Sequence, residues 1–415
     1  MVASQVSTLW RSETQADHHN ANRLRFTQSQ GFILIGRRRM FLRTVLAASA
    51  AFCTLAAPMA SAAEIKLAII ESLTGSPAFI GKSLADGAVL AVEEINAKGL
   101  AGDGVTIKYT LDDDAGDRGQ ALGLIGKYAA DPSVLMIVGP TTGAIAPSAA
   151  AAANDLKTPI LIQANNLAVP QAGPWSNSFS QPAQIATPPI AIYAAEKRGV
   201  KNCTIVTVID NEAYVAMSKV FASTVEERGV KAALEGVKIG DIDFSALAVK
   251  IAQGEQDCLF VAAPAAVAAN MIMQFKQAGL DPSVQIFGLN SLASPEFLST
   301  GGGAVEGVTV IGEWTPGGFD EASRAFAEAY KAKYGVDADN WAPQGYSTMM
   351  LVADALKRAG PNATREEMRD AISSVKDLPV VVGKGVFNYT PERFASFGMG
   401  ILTVEDGKFV QPGDL

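Results

Sequence analysis

The chain has 415 residues, 48% hydrophobic and 18% charged, with two histidines, three cysteines and a net charge of −8, enough for one or two globular domains with real cores. Without the first 63 residues, which hold seven arginines and no lysine against one aspartate and one glutamate, 27 basic residues face 40 acidic ones, and a balance of −13 repels phosphate backbones and excludes nucleic acid as a partner. Both histidines, His18 and His19, fall in that first segment, so the chain from residue 64 onward has no Ser-His or Cys-His pair and no histidine-bound metal, and Cys203 and Cys258 are too few for structural zinc.

The first segment predicts a cleaved signal peptide. Arg37, Arg38, Arg39 and Arg43 make a basic region, Val45 to Ala57 an apolar one, and Ala60-Ser61-Ala62 or Ser61-Ala62-Ala63 a small-residue cleavage site. Met40 is the expected functional start, because it leaves a usable basic start. Cys53 follows Phe52 rather than a small residue, so no lipidation is expected. Beyond residue 63 no apolar run approaches the ~20 residues of a membrane span, so direct membrane insertion is not expected.

From Glu64 onward strand-like and helix-like stretches alternate. IKLAII (65–70) is a buried strand. Leu84, Ala88, Ala91, Val92 and Ile95 then share one face of a helix from Ile80 to Lys98, stopped by Gly99. VTIKYTLDDD is a second strand, Gln120 to Ala130 a helix, VLMIVGP a third strand, Ile145 to Asp155 a helix and PILIQA a fourth strand. This βα repetition predicts a parallel sheet covered by helices on both faces. Asp112-Asp113-Asp114 lacks the spaced oxygens and glycine turn of a calcium loop and reads as a solvated strand end. Gly301 to Gly303 lack the Lys-Ser/Thr of a phosphate loop. No metal or cofactor is expected.

The pattern pauses around Pro182 to Pro189 and restarts. CTIVTVID, VKAALEGVKI, DCLFVAA and VQIFGLN are strands, separated by helices Ala213 to Arg228, Phe244 to Gln253 and Ala265 to Ala278. The second unit copies the first in order and spacing, which predicts a bilobed α/β molecule with the strand-end loops of both units facing one cleft. In a doubly wound sheet the strands opened by Cys203 and Cys258 are neighbours. The two cysteines are either a disulfide or two buried thiols. After VTVIGEW come helices Glu321 to Lys333, Ala342 to Ala359 and Arg365 to Ser374, the last with a capping box at Thr364 to Glu367, and a hairpin-like end over 385–407. Trp314 and Trp341 read as hinge or core packing.

IKLAIIESLTGSPAFIGKSLADGAVLAVEEINAKG, LDDDAGD, the turn GPTTG, VIDNEAY and WAPQGYSTMMLVADAL, in that order, resemble the type I periplasmic substrate-binding proteins of the leucine/isoleucine/valine-binding group. The resemblance covers residues 64–415. It implies two doubly wound, Rossmann-like lobes joined by three crossovers: 64–184 with 308–394, and 185–307 with 395–415. It also implies a monomer in the periplasm that binds a small carboxylate, has no enzymatic activity and delivers its ligand to an ABC permease in the inner membrane. An exported ligand-sensing module feeding a signalling partner is the alternative on the same fold.

The resemblance also places the site. Thr141 and Thr142, then Ala164, Asn165 and Asn166, match positions where the family holds the ligand carboxylate with hydroxyls and backbone N–H groups. A helix start offers unpaired N–H groups and partial positive charge there, so no lysine is needed. Tyr214 matches an aromatic across the cleft, and Phe79 or Ile80 stands beside the first strand's loop. Two positions depart from the family's amino-acid binders: Pro264 stands where they have tyrosine, and Asn290 where they have the glutamate that neutralises the ligand ammonium. An amide supplies no negative charge, and a poorly compensated buried charge is costly. A carboxylate without an ammonium, such as an aromatic or keto acid, therefore stands as a candidate beside an amino acid, for which Glu71, Glu212 or Glu313 would have to face the cleft and replace the missing charge.

Overall fold

The computed structural model describes residues 63–412, apart from residues 76, 316 and 317. The expected leader, with Met40 and Cys53, lies outside the described residues except for Ala63, which opens the first strand. In β1 (Ala63–Glu71) the strand period of two sends Leu67 and Ile69 to one face and Ala68 and Ile70 to the other, and all four are fully buried. With β2 (Val105–Asp113), β3 (Val134–Val138), β4 (Ile160–Ile162) and β5 (Ser176–Ser178) it forms a parallel sheet in the order β2-β1-β3-β4-β5. One face is covered by the helices Arg118–Ala130 and Ala146–Asp155, the other by Ala78–Lys98, Ala342–Ala359 and Arg365–Ser373.

The second sheet contains β6 (Asn202–Val208), β7 (Lys231–Val237), β8 (Cys258–Ala262), β9 (Gln285–Gly288) and β10 (Thr309–Gly312), all parallel. It too buries both faces: Leu259 and Val261 of β8 enter one core, Phe260 and Ala262 the other. The expectation of a hairpin-like end over 385–407 needs correction. The terminal segment does not form one hairpin: β11 (Leu378–Pro379), β12 (Val386–Tyr389) and β13 (Ala395–Ser396) make a small separate sheet, while β14 (Gly400–Glu405) and β15 (Lys408–Val410) extend the second sheet antiparallel beyond β10.

The chain passes between the cores of the two sheets three times. The passages fall between Phe179 and Ala183, between Gly312 and Trp314, and between Phe397 and Met399. The second differs from the expected boundary at 308, because residues 309–312 first complete β10 in register with β14. Gln181 ties two passages together, its carbonyl accepting the N–H groups of Phe397 and Gly398 at 2.9 and 3.0 Å.

Around Pro182 to Pro189 the chain is not a pause but two short helices, Ala183–Ala186 and Pro188–Ile192, the second opened by prolines in its first turn. β5 reads Ser-Asn-Ser and has no apolar signature. Its hydroxyls are instead paired inside the fold, Ser176 donating to the Val169 carbonyl at 2.6 Å and Ser178 to that of Ala164 at 2.8 Å. Cys203 and Cys258 face each other in the β6–β8 register, 4.4 Å apart at Cα, and are joined as a disulfide.

One packing detail positions the site. The helices Ala78–Lys98 and Ala342–Ala359 touch backbone to backbone: a Cβ on Gly87 would lie 1.8 Å from the Ala342 carbonyl oxygen, and one on Gly345 2.0 Å from that of Leu84. This contact sits in the first turns of the second helix and holds Gln344 against the passage after β10.

Candidate functional site

Loops at the carboxyl ends of strands in both sheets meet around a cavity of about 190 Å³, where open parallel sheets bind ligands. The volume is that of a small solute, below the ~300–1,000 Å³ of drug-sized pockets. Thr141 and Gly143 after β3 and Gln163 to Asn165 after β4 line one side. Asn211, Ala213 and Tyr214 after β6 and Asn290 and Ser291 after β9 line the other. Glu313, Trp341 and Gln344 add to it, and among the described residues no lysine, arginine or histidine lines it.

The first wall starts with a crowded strand exit. Gly139 has φ +92°, and a Cβ there would lie 1.9 Å from the Ile70 carbonyl oxygen, so only glycine lets the chain leave β3 across the end of β1. That approach brings Thr141 onto β1, where its hydroxyl donates to the buried Glu71 carboxyl. Burial raises the Glu71 carboxyl well above the usual carboxylate range, Asp114 adds to the rise and the Thr141 hydrogen bond opposes it. Asp114 itself is fully buried, accepting from the Ser72 hydroxyl at 2.6 Å and the Gly116 N–H at 2.8 Å, so the triple-aspartate strand end is not simply solvated.

Neither threonine caps the following helix by its side chain. The Thr142 carbonyl takes the N–H groups of Ile145 and Ala146, both at 3.0 Å, and the helix Ala146–Asp155 begins one turn later on Ile145. The Thr142 hydroxyl is buried and without a hydrogen-bond partner among the described residues. Asn166 ties the two loops of this wall together: its amide donates to the Gly143 carbonyl at 3.3 Å while its own carbonyl accepts the Ala168 N–H at 3.0 Å.

On the second wall Asn211 caps the helix Glu212–Glu226, accepting from the N–H groups of Ala213 at 3.0 Å and Tyr214 at 3.4 Å. That cap fixes where Tyr214 leaves the backbone. Burial pushes the Tyr214 phenol up, partly offset by its hydrogen bond with Ser291. Ser291 is anchored in turn, donating to the Ala263 carbonyl at 2.9 Å.

Of the ten residues expected from the sequence, Thr141, Ala164, Asn165, Tyr214, Asn290 and Ile80 line the cavity. Asn166 lines an adjoining groove that shares Gly143, Asn165, Asn211 and Ala213 with it. Thr142 lies one residue behind the lining. Pro264 is the residue before the helix Ala265–Gln277, outside the lining, and Phe79 is 57% exposed. Of the three glutamates raised as replacements for the missing charge, Glu313 lines the cavity, Glu71 backs Thr141, and Glu212 belongs to the groove.

Trp314 is core, edge-on to Phe326, whereas Trp341 lines the cavity and is not only packing. Gln163 and Gln344 were not singled out from the sequence. The only local signal was a glutamine ending the apolar run ILI, and a second glutamine in the first turn of a helix otherwise rich in apolar residues.

A model of the periplasmic binding protein family matches residues 64–408. The chain is 26% identical over 378 residues to the Leu/Ile/Val-binding protein BraC3 of Rhizobium johnstonii, covering 89% of this chain and 98% of that protein. Among solved structures, it resembles the substrate-binding protein LivJ of Streptococcus pneumoniae in complex with isoleucine, with a TM-score of 0.71 and 24% identity over 84% of this chain and all of that one. A solute-binding protein from Rhodopseudomonas palustris in complex with 3,4-dihydroxy benzoic acid is similar to the same degree, with a TM-score of 0.72 and 24% identity over 84% of this chain and 95% of the other. At these identities the two structures speak for the fold.

Proposed function

The chain belongs to the periplasmic binding protein family, and from that premise we propose that it is the exported solute receptor of an ABC importer of the branched-chain amino acid type. It binds one small carboxylate-bearing ligand, an amino acid or an aromatic or keto acid, between two lobes built on the two sheets. A permease in the inner membrane receives the closed form. The reading assigns the chain no reaction of its own.

The observation that carries the reading is the cavity itself. It is small, it is lined from the strand ends of both sheets, and it offers hydroxyls, amides and backbone rather than a nucleophile with a base. The isoleucine and the 3,4-dihydroxy benzoic acid of the two similar proteins differ in nearly everything but their carboxylate. A seat of Thr141, Ala164 and Asn165 on the loops after β3 and β4 suits that shared group, because neutral donors and loop N–H groups hold an anion without a cation. Contacts made to both walls only when the lobes are together let ligand binding favour closure by population shift.

The test is a thermal-shift screen of the purified protein against amino acids, aromatic acids and keto acids, followed by calorimetry of the hits. One-site binding with a negative heat-capacity change is expected. Asn165 is exposed and lines the cavity, so Asn165→Asp adds a charge beside the seat without disturbing the core; it should weaken binding by at least about tenfold, or 1.4 kcal/mol. Full affinity in that variant, or stabilisation only by compounds without a carboxylate, would overturn the reading.

A further inference from the structure

The three passages between the cores are not separate threads. Gln181, in the middle of the first, is 2% exposed, and its side-chain amide is committed to the third. The carbonyl oxygen accepts the Phe397 and Gly398 N–H groups, and the nitrogen donates to the Gly398 carbonyl at 3.0 Å. The side chain thus pairs with the third passage much as a neighbouring peptide group would. The Lys384 N–H reaches the Phe397 carbonyl at 2.7 Å, and Gly383 donates to the Glu313 carbonyl in the second passage at 2.6 Å. Glycine is required at 383, where φ is +60° and a Cβ would lie 2.3 Å from the Phe397 carbonyl oxygen. One run of hydrogen bonds therefore joins all three passages.

That run is anchored on the first core. Phe179, which opens the first passage, stacks on Phe397, which opens the third, with ring centroids 5.4 Å apart, and Val382 beside Gly383 is buried in the same core. On the other side, Ala183 and Met399 already belong to a core of the second sheet, and Gly312 is paired with Gly400 in that sheet. The chain thus changes sides within three short steps: Gln181 to Ala183, Gly312 to Glu313, and Gly398 to Met399. Hinge rotation is absorbed by a few residues at element ends. Breaking the Gln181 bonds would leave buried polar groups unpaired, which is costly, so rotation beyond them is favoured.

We infer that Gln181 is the positioning residue of the hinge: its amide fixes the first and third passages to the first lobe and confines bending to those three steps. It acts through the backbone of Phe397 and Gly398, not through a bond to the ligand. Because Gln181 and Glu313 also line the cavity, the fixed side of the hinge is part of the ligand site. The inference rests on the closure reading above for what the hinge moves, and adds where it bends.

The experiment is pulsed electron paramagnetic resonance on the ligand-free protein, with spin labels at Asp155→Cys and Lys219→Cys, exposed positions on helices of the first and second sheets. Gln181→Met keeps the side chain's length and removes all three bonds. It should widen the label-to-label distance distribution by at least about 1.5-fold, because each passage then bends by itself. Gln181→Glu accepts both N–H groups but can donate to the Gly398 carbonyl only when protonated, so its distribution should return toward the wild type's as pH falls from about 8 to about 5. Each pH is compared with the wild type at that pH, because burial raises the Glu313 carboxyl to about 8 in both. Hydrogen exchange of the wild type decides the matter even if a variant fails to fold: the Phe397 and Gly398 amides should exchange at least about tenfold more slowly than exposed-loop amides. A Gln181→Met distribution as narrow as the wild type's, or free exchange at both amides, overturns the inference and leaves closure intact. Closure is read separately, from the wild type with isoleucine or 3,4-dihydroxy benzoic acid added. Binding without a shorter label distance overturns closure and leaves the fixed passages standing.

Discussion

The two walls of the cavity are made differently. The wall held by the first core consists of small side chains and loop backbone, with carboxyls buried in it: Glu71 behind Thr141, and Glu313 fixed by Gln344. The second wall is a phenol, two amides, a hydroxyl and a thioether, Tyr214, Asn211, Asn290, Ser291 and Met217, and its carboxyl, Glu212, lies outside the lining. The buried carboxyls therefore lie on the first wall and on the passage between the sheets, while the second wall's lining is neutral. The resemblance to amino-acid binders drew attention to the second wall, at Asn290, where the charge is missing. The carboxyl that does line the cavity, Glu313, stands instead on the passage after β10.

The most forceful way to break this contrast is pH. Glu313 has an ordinary carboxyl value of 4.5 and is raised to about 8 in the fold, so the folded state holds its proton more tightly than the unfolded chain does. That preference stabilises the ligand-free protein fully below about pH 4.5 and is lost as pH rises to about 8, by roughly 5 kcal/mol at the outside. Glu71 acts in the same direction. Urea unfolding of the ligand-free protein at about pH 5 and about pH 8.5 should show the loss, and Glu313→Gln should remove much of it. A Glu313→Gln profile that matches the wild type would mean that the two walls do not differ in charge as described.

The next effect sits behind the second wall. The Cys203–Cys258 disulfide closes a separation of 55 residues between β6 and β8, the strands whose ends present Tyr214 and Pro264. By the loop-entropy estimate it contributes about 4 kcal/mol, with 2–4 the usual measured range. Replacing both buried cysteines by alanine should lower the urea midpoint accordingly. Any preference between amine-bearing and amine-free acids should survive, because the second wall's lining is neutral. A changed preference would show that the second wall shares in it.

How much of this was legible in the sequence depends on how local the signal is. The alternation of short apolar runs with helical faces marked β1, β3 and β8 because each strand is buried on both sides, and capping residues marked the helix at Thr364. Thr141, Ala164, Asn165 and Tyr214 could be named through the family resemblance, which places ligand contacts on the loops after such strands, and all four line the cavity. β5 escaped notice because Ser-Asn-Ser is buried by hydrogen bonds rather than by apolar surface. The Gln163–Thr348 contact joins residues 185 apart and depends on two glycines that bring helices together, so no local pattern announces it. Pro264 was placed by the family's positions and Phe79 by its nearness to the first strand's loop, but both stand outside the lining, Pro264 as the residue before the Ala265–Gln277 helix and Phe79 exposed in the first turn of the Ala78–Lys98 helix.

The smallest effect tests whether the second wall acts by shape. The Tyr214 hydroxyl bonds Ser291, and Ser291 already donates to the Ala263 carbonyl, so the phenol is tied to the protein before any ligand enters. Tyr214→Phe keeps the ring and removes one neutral hydrogen bond, a change worth about 1 kcal/mol. Affinity for any carboxylate probe should fall by no more than about fivefold, with amine-bearing and amine-free acids affected alike, since the lost group carries no charge at neutral pH. Calorimetry on one such pair checks both points. A loss confined to the amine-bearing member would mean that the phenol meets the ammonium, and the contrast between the walls would have to be redrawn from that side.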